Sequence, residues 1–93
     1  MQMYVILRRN ARESTDDLQA AAQESTRVAD EEMDDRVRWI RSYVLDEEDG
    51  TLGTVCIYQA EDEDAIEEHA GRADLPVDEI IPVADTVIVR DDP

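Results

Sequence analysis

A four-stranded antiparallel sheet with two helices on one face, in the order βαββαβ, is the fold this sequence predicts. Three observations point to it. Runs rich in β-branched and aromatic residues recur near 2–9, 37–46, 54–60 and 80–89. Two segments with apolar residues spaced by three and four lie between the first and second runs and between the third and fourth. Asp49-Gly50, between the second and third runs, is a hairpin signal. Two right-handed crossovers around a central hairpin make an α+β, ferredoxin-like arrangement. Ninety-three residues are expected to form one domain, 1–93, because a second core would not fit.

The first strand is carried by Val5 and Ile6 in a compact apolar run flanked by charge. Asn10 to Glu13 is polar and turn-like. Ser14 then stands three residues before Asp17, a capping box with Asp in place of Glu, and Asp16 and Asp17 suit the positive end of a helix dipole. Leu18, Ala21, Ala22, Ser25, Val28, Ala29 and Met33 form the stripe of an amphipathic helix of about five turns. In the second strand, strict alternation places Val37, Trp39, Arg41, Tyr43 and Leu45 on one side and Arg38, Ile40, Ser42, Val44 and Asp46 on the other. In the third, Val55 and Ile57 share one face, and Thr54, Cys56 and Tyr58 the other. Asp62 caps a second helix, about 62–73, whose inward stripe is Ala65, Ile66, His69, Ala70 and Ala73, and Asp74-Leu75-Pro76 ends it. The last strand is expected to be regular from about Val83, because Pro82 breaks the earlier pairing.

Both faces of this sheet carry apolar or aromatic side chains, and the helices cover one of them. A sheet wet on one side would alternate with polar residues there. A second copy of the chain is therefore expected to cover the open face, giving a homodimer.

Twenty-five Asp and Glu face nine basic residues, a net charge of −16, and all nine are Arg. No basic patch is present to release counterions from a phosphate backbone, so nucleic acid is excluded as a partner, and anionic membranes with it. The acidity has two readings: a surface that recruits cations or a basic partner, or adaptation to high salt. The complete absence of Lys favours the second, because a dedicated acidic patch does not require Lys to vanish elsewhere. Cys56 is alone, which rules out an intramolecular disulfide and a cysteine-based zinc cluster. The apolar N-terminal run is too short for a signal peptide or a span and has no basic region before it, so a cytoplasmic address is expected.

The stretch Trp39-Ile40-Arg41-Ser42-Tyr43-Val44, then Cys56-Ile57-Tyr58-Gln59-Ala60, then Ile66-Glu67-Glu68-His69-Ala70-Gly71-Arg72-Ala73 resembles a family of short bacterial and archaeal proteins. Its members carry W-x-x-S-Y-V, C-x-Y-x-A and I-x-E-H-A-x-x-A in that order. The function of the family is largely unassigned, one branch binds nickel, and its fold is a ferredoxin-like dimer. The resemblance covers roughly residues 39–89 and departs at a longer 47–53 loop and at Asp74, where Gly is usual.

His69 is the only imidazole available for a transition metal or for acid–base work near neutral pH. It is either a buried histidine satisfied by a carbonyl or carboxylate, or the central ligand of the nickel site that the resemblance implies. Its partners would then be Glu63, Glu68 or Asp62, water, or the same residues from a second subunit. Cys56 is either a small hydrophobe or a pocket residue beside Tyr58. Trp39, Tyr43, Cys56 and Tyr58 are candidates to line a ligand cavity between two sheets, or equally to pack an interface. Glu47, Glu48 and Asp49 read as a solvated acidic turn, without the ligand spacing of a calcium loop. The function expected is non-enzymatic binding of nickel or another divalent transition metal. The alternative is a dimeric α+β-barrel enzyme of oxygenase or isomerase type, with His69 and Tyr58 or Tyr43 as acid and base.

Overall fold

The computed structural model describes residues 1–90. In chain order it has β1 (Gln2–Arg12), α1 (Thr15–Arg27) continued by a π-helical turn (Val28–Glu32), β2 (Val37–Asp46), β3 (Leu52–Ala60), α2 (Glu63–Arg72) and β4 (Glu79–Pro82). All pairings are antiparallel, and the strands lie in the order β2-β3-β1-β4. This is the ferredoxin-like βαββαβ arrangement predicted from the sequence.

Alternation along β1 sends Tyr4, Ile6 and Arg8 towards the helices and leaves Met3, Val5 and Leu7 on the open face. In β3, Thr54, Cys56, Tyr58 and Ala60 are buried, with Val55 and Ile57 on the other side. Ile6, Val28, Met33, Val37, Tyr58 and Ile66 form the centre of the core. Ser14 caps α1 by accepting from the Asp17 amide at 3.2 Å, and Asp62 caps α2 by accepting from Ala65 at 2.8 Å. Asp74 takes the left-handed φ of 55° that ends α2, a conformation usually left to Gly but open to Asp.

Four local expectations are corrected. First, β2 has a bulge between Trp39 and Arg41: Trp39 pairs with Tyr58, but Arg41 pairs with Ile57, leaving Ile40 as the extra residue. Beyond it the faces invert, so Ser42 and Val44 pair with inward-facing Cys56 and Thr54, while Arg41 and Tyr43 pair with open-face Ile57 and Val55. Second, β1 continues through the polar 10–12 segment. It does so across a bulge, with Asn10 at φ 51°. Third, β4 is residues 79–82, paired with Leu7 to Tyr4, and 83–89 has no strand. As the sheet's edge, β4 tolerates Pro82 because a missing N–H there breaks no second ladder. Fourth, Glu47 is buried rather than solvated. Its carboxylate accepts from Arg9 Nε at 3.0 and 3.1 Å and from the Asn10 amide at 3.1 Å, tying the hairpin turn to the bulged end of β1.

Candidate functional site

Two regions hold the residues singled out in the sequence: a buried polar cluster around His69 and a cavity beside it. His69 comes from the inward face of α2 and is completely buried. Its Nε2 lies 3.0 Å from the Ser25 carbonyl, which makes Nε2 the protonated nitrogen, and 3.5 Å from Ser25 Oγ. Ser25 stands just before α winding gives way to the π turn, and its carbonyl accepts from the Val28 amide as well as from His69. His69 Nδ1 is buried with no hydrogen-bond partner among the described residues. Burial pushes the imidazole pKa down, and the charge of Arg8 adds to this, against the opposing hydrogen bond to Ser25. The ring is therefore held neutral.

Tyr58 links the cluster to the sheet. Its hydroxyl is 3.0 Å from Ser25 Oγ, its ring lies tilted against His69 with centroids 5.3 Å apart, and Trp39 stacks on it at 6.1 Å. Burial raises the Tyr58 pKa, so the phenol stays protonated. Trp39 Nε1 donates to Ser42 Oγ at 2.8 Å, and Cys56 Sγ lies 3.3 Å from Thr54 Oγ1.

The cavity, about 260 Å³, lies between the sheet and α1, and Leu75 and Pro76 are also part of its wall. Trp39, Cys56 and Tyr58 line it, together with Leu18, Ala21 and Ala22 of the α1 stripe. It is on the helix side, not between two sheets as anticipated. Tyr43 is on the opposite face, 45 % exposed, and does not line it; His69 does not line it either.

The three proposed metal donors diverge. His69 points into the core, Glu63 is exposed in the first turn of α2, and Glu68 is held by Arg36 at 2.9 Å and Arg72 at 2.7 Å. Those guanidiniums keep the Glu68 carboxyl below the usual range. Among the described residues no three His, Cys, Asp or Glu side chains come together as a metal site, so the described residues of one chain do not by themselves fit nickel.

Sequence reasoning missed Arg8. It is 3 % exposed, lies over the Tyr58 ring at 5.8 Å and lines the cavity. The available signal was its place in the every-second-residue row Tyr4, Ile6, Arg8, where an inward apolar residue is the rule.

Comparison with known proteins places the fold. The family described as nickel responsive protein SCO4226-like matches residues 4–83. The chain belongs to this family. SCO4226 from Streptomyces coelicolor A3(2), solved by crystallography, is similar in structure with a TM-score of 0.71 at 19% identity, over 91% of this chain and 99% of that one. No curated protein matches the sequence. Among the described residues no helix is long and apolar enough to cross a membrane.

Proposed function

We propose that this protein is a homodimer that binds nickel or another divalent transition metal through donors supplied by two copies together. Membership of a family described as nickel responsive supports the metal. That family membership is the observation that carries the reading; His69, Glu63 and Glu68 diverge within one chain and all lie on α2, on the helix side of the sheet, so the donors that two copies would share are other residues. A metal of this class needs several donors converging at about 2 Å, and a second copy is the proposed source of those that the described residues of one chain do not bring together.

The open sheet face supports the dimer. Met3, Val5, Ile40, Tyr43 and Ile57 line a groove of about 970 Å³ together with Val83 and residues 85–90. Val87, Ile88 and Val89 stand there 86, 76 and 82 % exposed. Three consecutive branched aliphatics beside an apolar strand face form the kind of surface that a second copy buries.

Calorimetric titration of untagged protein with nickel in molar KCl, repeated across a dilution series, tests this reading. High salt suppresses loose binding of the metal to the 25 acidic residues. The apparent affinity should fall as the protein is diluted through its dimer dissociation. Tight, concentration-independent uptake of one nickel by a monomer would overturn it.

A further inference from the structure

The helix-side cavity is charged oddly for this chain. The protein carries 25 acidic residues against nine Arg, yet the cavity wall includes Arg8 and Arg12 and no Asp or Glu among the described residues. Arg12 has a loose partner, Asp17 at 3.7 Å. Arg8 is more exacting. Its Nε and Nη2 are buried and donate to nothing among the described residues. Those two nitrogens form one edge of the guanidinium, with parallel N–H bonds spaced to match the two oxygens of a carboxylate.

The same edge is filled elsewhere in the molecule. Arg9 grips Glu47 with Nε at 3.0 Å and Nη2 at 3.0 Å, and Arg27 grips Glu24 with Nε at 3.1 Å and Nη2 at 2.6 Å. Arg8 has the same fork at the cavity wall, closed over in the empty molecule and with no carboxylate from the protein to fill it. A buried guanidinium without an anion is costly, because desolvation is repaid only by pairing. Leu18, Ala21, Trp39, Val44 and Leu75 give the cavity an apolar lining beside it.

We propose that this cavity binds a small organic monocarboxylate, the Arg8 guanidinium turning its Nε/Nη2 edge into the cavity to seat the carboxylate while the apolar body lies against Trp39 and α1. The site is separate from the metal reading and does not depend on it. Trp39, the one tryptophan of the chain, reports occupancy through its fluorescence.

Hexanoate, which does not absorb where Trp39 emits, is the probe, and hexanamide is its neutral counterpart of equal size. In molar KCl, hexanoate should shift the Trp39 emission saturably and raise the melting temperature. Hexanamide should bind roughly tenfold more weakly or worse, since it cannot accept at both nitrogens as a charged group does. Arg8→Met should fold at least as stably as the unliganded parent and lose the response to hexanoate; Arg8→Lys should retain charge but lose roughly tenfold in affinity with the fork. If Arg8→Met does not fold, the comparison of acid and amide on the parent protein still decides. Equal binding of hexanoate and hexanamide, no binding of hexanoate, or an unchanged response in folded Arg8→Met would each overturn the proposal.

Discussion

His69→Ala separates the structural role of the imidazole from a ligand role. The substitution removes a ring with no exposed surface, packed against Tyr58, and breaks its hydrogen bond to the Ser25 carbonyl. Truncations of this kind cost about 2–5 kcal/mol, and a partly polar ring that already leaves Nδ1 unpartnered belongs in the lower half, about 3 kcal/mol. For 93 residues the whole folding free energy is about 5–14 kcal/mol, so the loss is a sizeable share of it. It corresponds to a melting-temperature drop of about 12–24 °C. The parent protein carries a further signature in pH. The folded His69 pKa lies below its ordinary value of 6.5, chiefly through burial, so the fold favours the neutral ring. Stability from this source is complete above about pH 6.5 and is lost as pH falls through that value. Glu24 and Glu68, held below 4.5 by their arginines, begin to lose their contribution only in more acid solution. Urea unfolding in molar KCl at pH 7.5 and at about pH 5.5 is the assay. The parent should weaken between the two, and His69→Ala should not. A cost below about 1 kcal/mol, or the same pH slope in both proteins, would refute the structural account.

Two other predictions follow from charge. Glu47→Ala should cost about 2 kcal/mol by urea unfolding, because the Asn10 amide loses a charge-assisted bond at a backbone φ of 51°; a change within about 0.5 kcal/mol would mean the turn is solvated after all. Moving the protein from about 1 M to about 0.1 M KCl lengthens the screening distance from about 3 Å to about 10 Å. With a net charge of −16, that should lower the melting temperature markedly, and an unchanged value would contradict the high-salt reading.

The parts of this fold legible in the sequence were those set by a single local rule. The α2 cap at Asp62 and the stripe through Ala65, Ile66, His69 and Ala70 follow from spacing alone. So does the division of β3 into a buried Thr54-Cys56-Tyr58 row and an open-face Val55-Ile57 row. Rules that depend on a neighbouring chain segment were not legible. The bulge at Ile40 exists only in register with Tyr58 and Ile57, and it moves Tyr43 away from Trp39. Pro82 looked like a strand breaker because nothing in the sequence says that β4 has one neighbour only. Glu47 looked like a loop acid because its partners, Arg9 and Asn10, lie 38 and 37 residues away. The π turn at Val28–Glu32 carries an unbroken helical stripe, so periodicity could not distinguish it from α winding. In the candidate site, residue types pointed to Trp39, Cys56 and Tyr58, while Arg8, a charged group buried beside them, passed as a strand flank.

Sedimentation equilibrium in molar KCl weighs most directly on whether two copies enclose the open strand face. A mass of about 21 kDa, twice the 10.6 kDa of one chain, is the expected result, with dissociation when Ile57 or Val5 is replaced by Asp. A stable 10.6 kDa species at every accessible concentration would contradict it and leave the shared metal site without its second half.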